Sequence, residues 1–334
     1  MKVSAAELQA LVARALRAAG ASTAMAESTA RALVLAEAQG LGSHGLSRVG
    51  QYITHLRNGR AVGSAVAQVM QRKGGALLID AQQGLAFPAC ELAVREAIAA
   101  AQAHGVAMAG VVRSHHCGVV VDHLRAVAAA GMVGIGLANS PSAMPAAGGR
   151  HPVFGTNPVA AVFPRRGESP LMIDLSLSEV ARGKLMVAAK EGRAIPPGWA
   201  LDAQGQPTTD AQAGLAGSML PIGAASSTKG AMLALVVELL VTAVIGANFG
   251  FEASSFFVDE GNRPGIGQAF IIVDPGAMAG RQAFFDRIEV LISEMLKDEG
   301  VRLPGARREA LLARAMAEGI EVTDAQLAAW RAVS

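Results

Sequence analysis

The stretch VAMAGVVRSHHCGVVVDHLRAVAAA, residues 106–130, decides the fold. Its apolar start, residues 106–112, predicts a strand, and its apolar end, residues 119–130, predicts a helix. The residues Arg113-Ser114-His115-His116-Cys117-Gly118 lie between the two. A strand-to-helix turn is a common place for reacting groups, because the backbone N–H groups at the start of a helix attract negative charge. The stretch therefore predicts an α/β protein with a functional site at this turn.

The segments on both sides of this stretch continue the α/β pattern. Short apolar runs predict strands at residues 76–80, 133–138, 159–163, 171–175 and 268–273, and helices are predicted at residues 88–103, 179–190 and 229–245. We expect a mixed or largely parallel sheet with helical cover. Residues 194–225 are rich in Gly, Pro, Asp and Thr, and they predict a long functional loop.

The two ends of the chain have a helical pattern. Ser4-Ala5-Ala6-Glu7 is a capping box, and further helices are predicted at residues 24–39 and 45–57. Helices at residues 280–297 and 307–319 close the chain. We therefore predict an all-helical domain of residues 1–70, joined by the C-terminal helices of residues 280–334, and an α/β domain of residues 71–279.

The composition favours an ordered protein with small-molecule partners. The 334 residues are 51% hydrophobic and 17% charged, with a formal net charge of +2 and no Lys/Arg-rich block, which argues against nucleic acid. Cys90 and Cys117 give no disulfide framework, and the N-terminus has no signal-peptide pattern, so a cytoplasmic location is expected. The most apolar segment, residues 231–247, carries Glu238 at its middle, which favours a buried helix over a membrane span.

Two motifs contain histidine. Gly40-Leu41-Gly42-Ser43-His44-Gly45 matches a dinucleotide fingerprint only formally, because a helix precedes it where a strand is required. His44, Arg48 and Tyr52 follow at intervals of four residues and would share one helix face, so they suit a small anionic ligand, although an exposed helix with a chance His and Arg explains them as well.

The second histidine motif is the double His at the predicted turn. A histidine there has the right pKa for proton transfer near neutral pH without a metal. Two alternatives stay open at this point. Cys117 could act as a nucleophile, and a zinc site could use the two histidines with His123 or Cys117, although no convincing third ligand is evident.

Further motifs lie at the ends of predicted elements. Phe154-Gly155-Thr156-Asn157-Pro158 opens a strand and Asp174-Leu175-Ser176 ends one, while Gly183 inside a helix indicates close packing or a ligand. Thr228-Lys229-Gly230 opens a helix and would suit a phosphate. Three arginines around the turn at residues 302–308 would suit a 2′-phosphate, although a solvated basic turn is the alternative.

This ordered series of motifs resembles the malate/L-lactate dehydrogenase family of the second type, which is unrelated to the Rossmann-fold lactate and malate dehydrogenases. The resemblance covers nearly the whole chain, from Ser43-His44-Gly45-Leu46-Ser47-Arg48 to Pro304-Gly305. It implies a homodimeric, metal-independent NAD(P)-linked oxidoreductase with a non-Rossmann cofactor fold. The α/β domain would then be the NAD(P)-binding domain.

The resemblance also implies roles for individual residues. Proton-transfer chemistry falls to Ser43, His44 and His116, with Lys184 as a further catalytic position. The substrate would contact Arg48, Tyr52, Thr156 and Asn157. The cofactor would contact His116, Cys117, Gly118, Val119, Val120, Ser140, Asp174, Leu175, Ser176, Thr228, Lys229, Arg302, Pro304, Gly305, Arg307 and Arg308.

Two substrate classes follow from the resemblance. The first is a small 2-oxo acid interconverted with a 2-hydroxy acid, as in the malate, lactate and sulfolactate dehydrogenases. The alternative is a cyclic α-imino acid, Δ1-piperideine-2-carboxylate or Δ1-pyrroline-2-carboxylate, reduced to an L-amino acid. Lys184 favours the first, because the cyclic imine reductases carry Asp at that position. NADP is expected over NAD because of Arg302, Arg307 and Arg308. A non-catalytic or metal-dependent protein that uses the double His as ligands is the remaining hypothesis.

Overall fold

The computed structural model describes residues 1–333. The elements in chain order are β1 (Lys2–Val3), α1 (Ala5–Ala18), α2 (Thr23–Ala38), α3 (Val49–Arg57), β2 (Gln68–Lys73), β3 (Ala76–Asp80), α4 (Ala86–His104), β4 (Val106–Ser114), α5 (Val120–His123), α6 (Arg125–Ala129), β5 (Val133–Ala138), β6 (Met144–Pro145), β7 (Pro152–Phe154), β8 (Val159–Phe163), β9 (Leu171–Leu175), α7 (Arg182–Lys190), β10 (Ala200–Leu201), β11 (Pro207–Thr208), α8 (Ala211–Ala216), β12 (Ser218–Met219), α9 (Lys229–Leu239), β13 (Ile266–Val273), α10 (Arg281–Met295), α11 (Ala306–Glu318), β14 (Ile320–Glu321) and α12 (Asp324–Val333).

A seven-stranded sheet with the order β2-β3-β4-β13-β5-β8-β9 forms the centre. Only β3 and β4 pair in parallel, and every other neighbouring pair is antiparallel. The predicted mixed α/β sheet is confirmed, while a largely parallel sheet is wrong. Strand β2 was not predicted, because all six of its residues are exposed and it lacks the apolar run used to find the others.

Helices α1, α2, α3 and α12 share one hydrophobic core, which includes Leu8, Leu33, Tyr52 and Trp330. A separate core lies between the sheet and helices α4, α5 and α6. The predicted capping box is present, since Glu7 N–H donates to Ser4 Oγ at 3.3 Å and Ser4 N–H donates to Glu7 Oε2 at 3.2 Å. The division near residue 70 stays a prediction, which these two cores support.

The turn after β4 is shaped by a register shift in the sheet. Pairing of β4 with β13 skips one residue at this end, and Arg113 takes a left-handed φ of 51°. Arg113 Nε donates to Asp80 Oδ1 at 2.9 Å, which holds this conformation. An irregularity of this kind turns the following side chains away from the regular strand directions. His115 and His116 therefore leave the sheet toward the N-terminal helices.

The helix predicted at residues 119–130 is divided into α5 and α6 at Leu124. Val120 and Leu124 pack against Gly136 and Gly134 of β5, where an added Cβ would lie 2.7 Å and 3.1 Å from their methyl groups. The close approach favours i to i+3 hydrogen bonds, such as Val127 N–H to Leu124 O at 3.0 Å.

Two further predictions are corrected. Residues 194–225 are not one long loop, because β10, β11 and β12 pair into a small sheet and α8 lies between β11 and β12. Two-residue strands have no periodicity that a sequence pattern could show. Residues 231–247 are not a buried helix, since α9 passes into a π-helical turn at Leu240–Val244, and Met232 and Val236 are each 50% exposed. Within residues 1–333, no helix has the length and apolar character needed to cross a membrane.

Candidate active site

The first part of the site is a tight turn between α2 and α3. Two 3-10 turns, Gly42–His44 and Leu46–Arg48, replace the predicted start of the helix at residue 45. The carboxylate of Glu37 accepts a hydrogen bond from Leu46 N at 2.8 Å, and a Cβ on Gly45 would lie only 2.3 Å from Glu37 Oε2. Gly45 is therefore required for the turn to close.

This turn brings three predicted site residues together. Arg48 Nε donates to Ser43 O at 2.7 Å, and Arg48 Nη1 donates to Gln51 Oε1 at 2.8 Å. Ser43 Oγ lies 3.0 Å from His44 Nδ1. Three of the five guanidinium hydrogens of Arg48 remain without a partner in the described part of the chain, and they can bind a carboxylate.

The second part of the site is His116. Tyr52 Oη lies 2.6 Å from His116 Nδ1, and Gly118 N–H donates to the same nitrogen at 3.3 Å. Burial raises the pKa of Tyr52, so its hydroxyl keeps the proton and donates it to the hydrogen bond. Burial, followed by the charge of Arg48, holds the pKa of His116 well below its usual value. We therefore assign neutral His116 the tautomer with its proton on Nε2.

His44 connects the two parts. Its ring stacks with that of His116 at a centroid distance of 5.6 Å. Burial, and then the charges of Arg48 and Arg308, lower the pKa of His44 to about 4. Lys184 is exposed in the first turn of α7, next to Gly183, where an added Cβ would lie 4.0 Å from Ser43 Cβ. The start of α7 thus lies beside the Ser43–His44 pair.

Residues 249–263 form a loop over the site that sequence reasoning missed. The Phe256 ring lies 5.2 Å from the His116 ring, and Gln51 Nε2 donates to Phe256 O. Arg60 is 1% exposed and has no carboxylate partner among residues 1–333. Its guanidinium donates to the backbone oxygens of Ser254, Ser255, Val258 and Asn262. No sequence motif marks this loop, because Arg60 binds its backbone oxygens rather than particular side chains.

The adjacent histidine, His115, hydrogen-bonds to His55 rather than to the residues of the site. It is 1% exposed, and its Nε2 lies 2.9 Å from His55 Nδ1, while its backbone oxygen accepts from Gln268 Nε2 at 3.1 Å. The double His thus divides between a buried structural network and an active-site position.

The two alternatives for this turn also find little support. Burial raises the pKa of Cys117 to about 12, which keeps the thiol protonated at neutral pH and argues against a nucleophile. His123 donates through Nε2 to Cys117 O at 2.8 Å. Across the described chain, no three His, Cys, Asp or Glu side chains group as a metal site would require.

Three stretches predicted to bind the cofactor meet beside His44. Asp174 Oδ2 accepts from Arg308 Nη1 at 3.4 Å and from Val121 N, which follows the His116–Val120 turn, at 3.5 Å. Pro304 O accepts from Met172 N at 3.1 Å. Gly305 has a φ of 91°, and a Cβ there would lie 2.9 Å from Met172 Cβ. Arg302 and Arg307 are exposed and make no ion pair within the described residues.

Of the other predicted cofactor residues, Leu175 and Ser176 directly follow Asp174, whereas Thr228 and Lys229 make no hydrogen bond to the His116 turn within residues 1–333. Leu175, which is 40% exposed, directly follows Asp174, and Ser176 Oγ lies 2.6 Å from Ser178 Oγ. Ser140 Oγ accepts from Thr156 N at 3.1 Å. Lys229 is exposed, and Thr228 lines a cavity of about 340 Å³ whose walls include neither His44, Arg48 nor His116.

Asn157 is buried among protein groups. It is 0% exposed, with a φ of 38°, and its Nδ2 donates to Glu238 Oε2 at 2.8 Å and to Ala234 O at 3.0 Å. Glu238 also accepts from Gly250 N at 2.8 Å. Glu238 stands out in the sequence as an acid within an apolar helix. In the structure its carboxylate holds the Thr156–Asn157 turn.

Comparisons with known proteins identify the family. A model of the malate/L-lactate dehydrogenase family matches residues 3–330. The chain is 47% identical over 323 residues to (2R)-3-sulfolactate dehydrogenase (NADP(+)) of Chromohalobacter salexigens, covering 97% of this chain and 95% of the relative.

Solved structures show the same fold. The Δ1-piperideine-2-carboxylate reductase of Pseudomonas syringae pv. tomato superposes with a TM-score of 0.93 at 34% identity, covering all of both chains. The sulfolactate dehydrogenase of Methanocaldococcus jannaschii superposes with a TM-score of 0.90 at 28% identity, covering 100% of this chain and 96% of the other. The site and the length of these matches lead to one conclusion: the chain is an oxidoreductase that belongs to the malate/L-lactate dehydrogenase family.

Proposed function

We propose that the protein transfers hydride between NADP(H) and C2 of a small 2-oxo acid, giving a 2-hydroxy acid. The observation that carries the proposal is the direct contact of the proton-transfer pair with the carboxylate-binding arginine, since Arg48 Nε donates to the backbone of Ser43 and Ser43 Oγ contacts His44. A carboxylate on Arg48 would hold the adjacent C2 oxygen near the imidazole, and such positioning can supply about 7–11 kcal/mol of barrier reduction.

The residues around Asp174 and Arg308 fit a dinucleotide. The glycines at positions 118 and 305 lie where the backbone approaches its neighbours closely, and Arg302 and Arg307 have no acidic partner in the described chain. Free guanidiniums on an exposed turn suit a 2′-phosphate, which supports NADP over NAD. When bound, NADP(H) supplies or accepts the hydride. The cofactor positions inferred from the resemblance stay a proposal, and Thr228 and Lys229 are its least supported members.

The geometry ranks the two histidines. Protonating His116 Nδ1 would oppose the Gly118 N–H, which can only donate, and would turn Tyr52 from donor to acceptor, so that its buried hydroxyl hydrogen would have no acceptor among residues 1–333. His116 is therefore suited to donate a hydrogen bond through Nε2 and remain neutral. His44 contacts only the Ser43 hydroxyl, which can donate or accept, so this contact survives in either protonation state. We assign the proton transfer to His44.

Lys184 and the comparisons favour the 2-oxo acid over the cyclic imine. Lys at position 184, in the helical turn that begins beside Ser43, suits the dehydrogenase type of site inferred from the sequence, and the relative at 47% identity is named a sulfolactate dehydrogenase. The cyclic imine remains the alternative, because the solved structure at a TM-score of 0.93 is a piperideine-2-carboxylate reductase. That reaction would use the same arginine and imidazole.

The proposal is tested with the variants Arg48→Ala and His44→Ala, assayed as NADPH oxidation with 3-sulfopyruvate and oxaloacetate. We expect Arg48→Ala to raise KM at least about 10-fold, because a bidentate charged contact is lost, and His44→Ala to lower kcat about 100-fold or more. Arg57→Ala, an exposed arginine at the end of α3, is the matched control. Wild-type kinetics for both site variants would refute the assignment.

We further propose that the protein is a homodimer and works in the cytoplasm. Helix α9 leaves an apolar face exposed, including Met232, Leu235, Val236 and Leu239, which is typical of a surface covered by a second copy. The two free cysteines, both buried, suit a reducing compartment. A single sedimentation measurement of the oligomeric state tests the first statement, and a monomer would refute it.

A further inference from the structure

The ring of Phe257 contacts two guanidiniums at the site. Arg48 Cζ lies 4.9 Å from the ring centroid, and Arg182 Cζ lies 5.4 Å from it. The two cations are therefore within about 10 Å of each other, a distance over which charges still interact in dilute salt. An aromatic ring brings no counter-charge to either guanidinium, so both cations remain able to bind an anion.

Arg182 has no acidic partner in the described part of the chain. No hydrogen bond or ion pair links it to any carboxylate in residues 1–333, and it is only partly exposed. Burial lowers its pKa, and no neighbouring acid offsets the effect. Burial also lowers the pKa of Arg48, and the interaction with Tyr52 offsets it only in part. Two partly desolvated cations without a counter-charge are costly in the empty protein, which is the arrangement expected where an anion binds.

The place of Arg182 in its helix supports the same conclusion. It is the first residue of α7, where the helix dipole favours acids, yet the first turn contains Arg182 and Lys184 and no acid. Arg182 directly precedes Gly183, which faces Ser43. A position that is unfavourable for the helix is thus occupied by a cation, which contacts the same Phe257 ring as Arg48.

We propose that Arg182 binds the second anionic group of a dianionic substrate, such as a C3 sulfonate or carboxylate, while Arg48 binds the C1 carboxylate. This inference rests on the proposed function for the identity of the reacting acid, and it names Arg182 as the residue that selects dianions over monoanions. Lys184, exposed in the same helical turn, adds positive charge to the entrance.

The inference is tested by titration calorimetry on the NADP⁺-loaded protein with two non-reacting probes. The dianion 3-sulfopropionate carries both charges, and propionate carries only the carboxylate. We expect the wild type to bind the dianion more tightly. Arg182→Ala should weaken dianion binding about 10- to 100-fold, the range for a charge-assisted contact, and should weaken propionate binding several-fold less. Arg48→Ala should weaken both, and Arg182→Lys should recover part of the dianion affinity.

Arg193→Ala is the matched control, because Arg193 follows the same helix but is exposed and pairs with Glu191. It should bind both probes as the wild type does. Equal losses for the two probes in Arg182→Ala would indicate a merely structural role and overturn the inference, as would a wild type without preference for the dianion. Because the binding assay measures no turnover, a failure of the dianion preference and a failure of the proposed 2-oxo acid activity are distinguished by separate experiments.

Discussion

At the scale of single residues, the site depends on how neighbouring groups fix the protonation of two imidazoles. The sequence indicated His44 and His116 but could not rank them, because both have the same ordinary pKa. The difference comes from contacts: the Gly118 N–H, which can only donate, reaches Nδ1 of His116, whereas Nδ1 of His44 contacts only a hydroxyl. Tyr52 was proposed from its spacing to Arg48, but its contact with a residue 64 positions away could not be read from spacing.

The low pKa of His44 leads to a prediction for the pH profile. Oxidation of a 2-hydroxy acid needs neutral His44 as the base, and burial with Arg48 and Arg308 lowers its pKa to about 4. The neutral form therefore dominates at all pH values above the lowered pKa. We expect oxidative kcat/KM to stay level between about pH 7 and 5.5, whereas an ordinary histidine would lose roughly 10-fold over that range. Initial rates with NADP⁺ across this range are the measurement, and a drop centred near the ordinary value would contradict the assignment.

At the scale of elements, strands and long helices were predictable, while the loop over the site was not. The apolar runs of β3, β5, β8 and β9 gave their observed bounds, because buried strands show themselves in composition. The sequence pattern predicted a helix from residue 45 onward. In the structure the Glu37 carboxylate accepts a hydrogen bond from the backbone N–H of Leu46, and α3 begins only at Val49. The sequence of residues 254–262 does not predict this loop, because Arg60 binds the backbone carbonyls of the segment and backbone carbonyls are present in any sequence.

Arg60 gives a prediction at this scale. Replacing it with Met removes the donor to the part-buried carbonyls of Ser254, Ser255, Val258 and Asn262, so we expect a loss of about 1–3 kcal/mol in the free energy of unfolding. We also expect a higher substrate KM, because Phe256 and Phe257 lie on the same loop beside His116 and Arg48. Denaturant unfolding and steady-state kinetics test this, with Arg57→Met as the exposed control and Arg60→Lys as a milder change. Unchanged stability and KM in Arg60→Met would show that Arg60 does not hold the loop of residues 249–263 in place.

At the scale of the whole molecule, the sheet, the N-terminal turn and the C-terminal turn converge on one place. The ordered motifs were enough to predict the family and the fold class, because they span nearly the whole chain. They could not show that the turn at residues 302–308 lies beside Asp174 and His44, since this contact joins segments more than a hundred residues apart. Nor could they distinguish a buried helix at residues 231–247 from one with an exposed apolar face, because both have the same composition.

We propose that these converging segments act on the C2 carbonyl of a small 2-oxo acid. The most direct test compares kcat/KM of the wild-type protein for NADPH-dependent reduction of 3-sulfopyruvate and of Δ1-piperideine-2-carboxylate under one set of conditions. Arg48 beside the Ser43–His44 pair, with a cation rather than an acid at position 184, predicts the larger value for 3-sulfopyruvate. A larger value for the cyclic imine would contradict the assignment of a 2-oxo acid as the substrate.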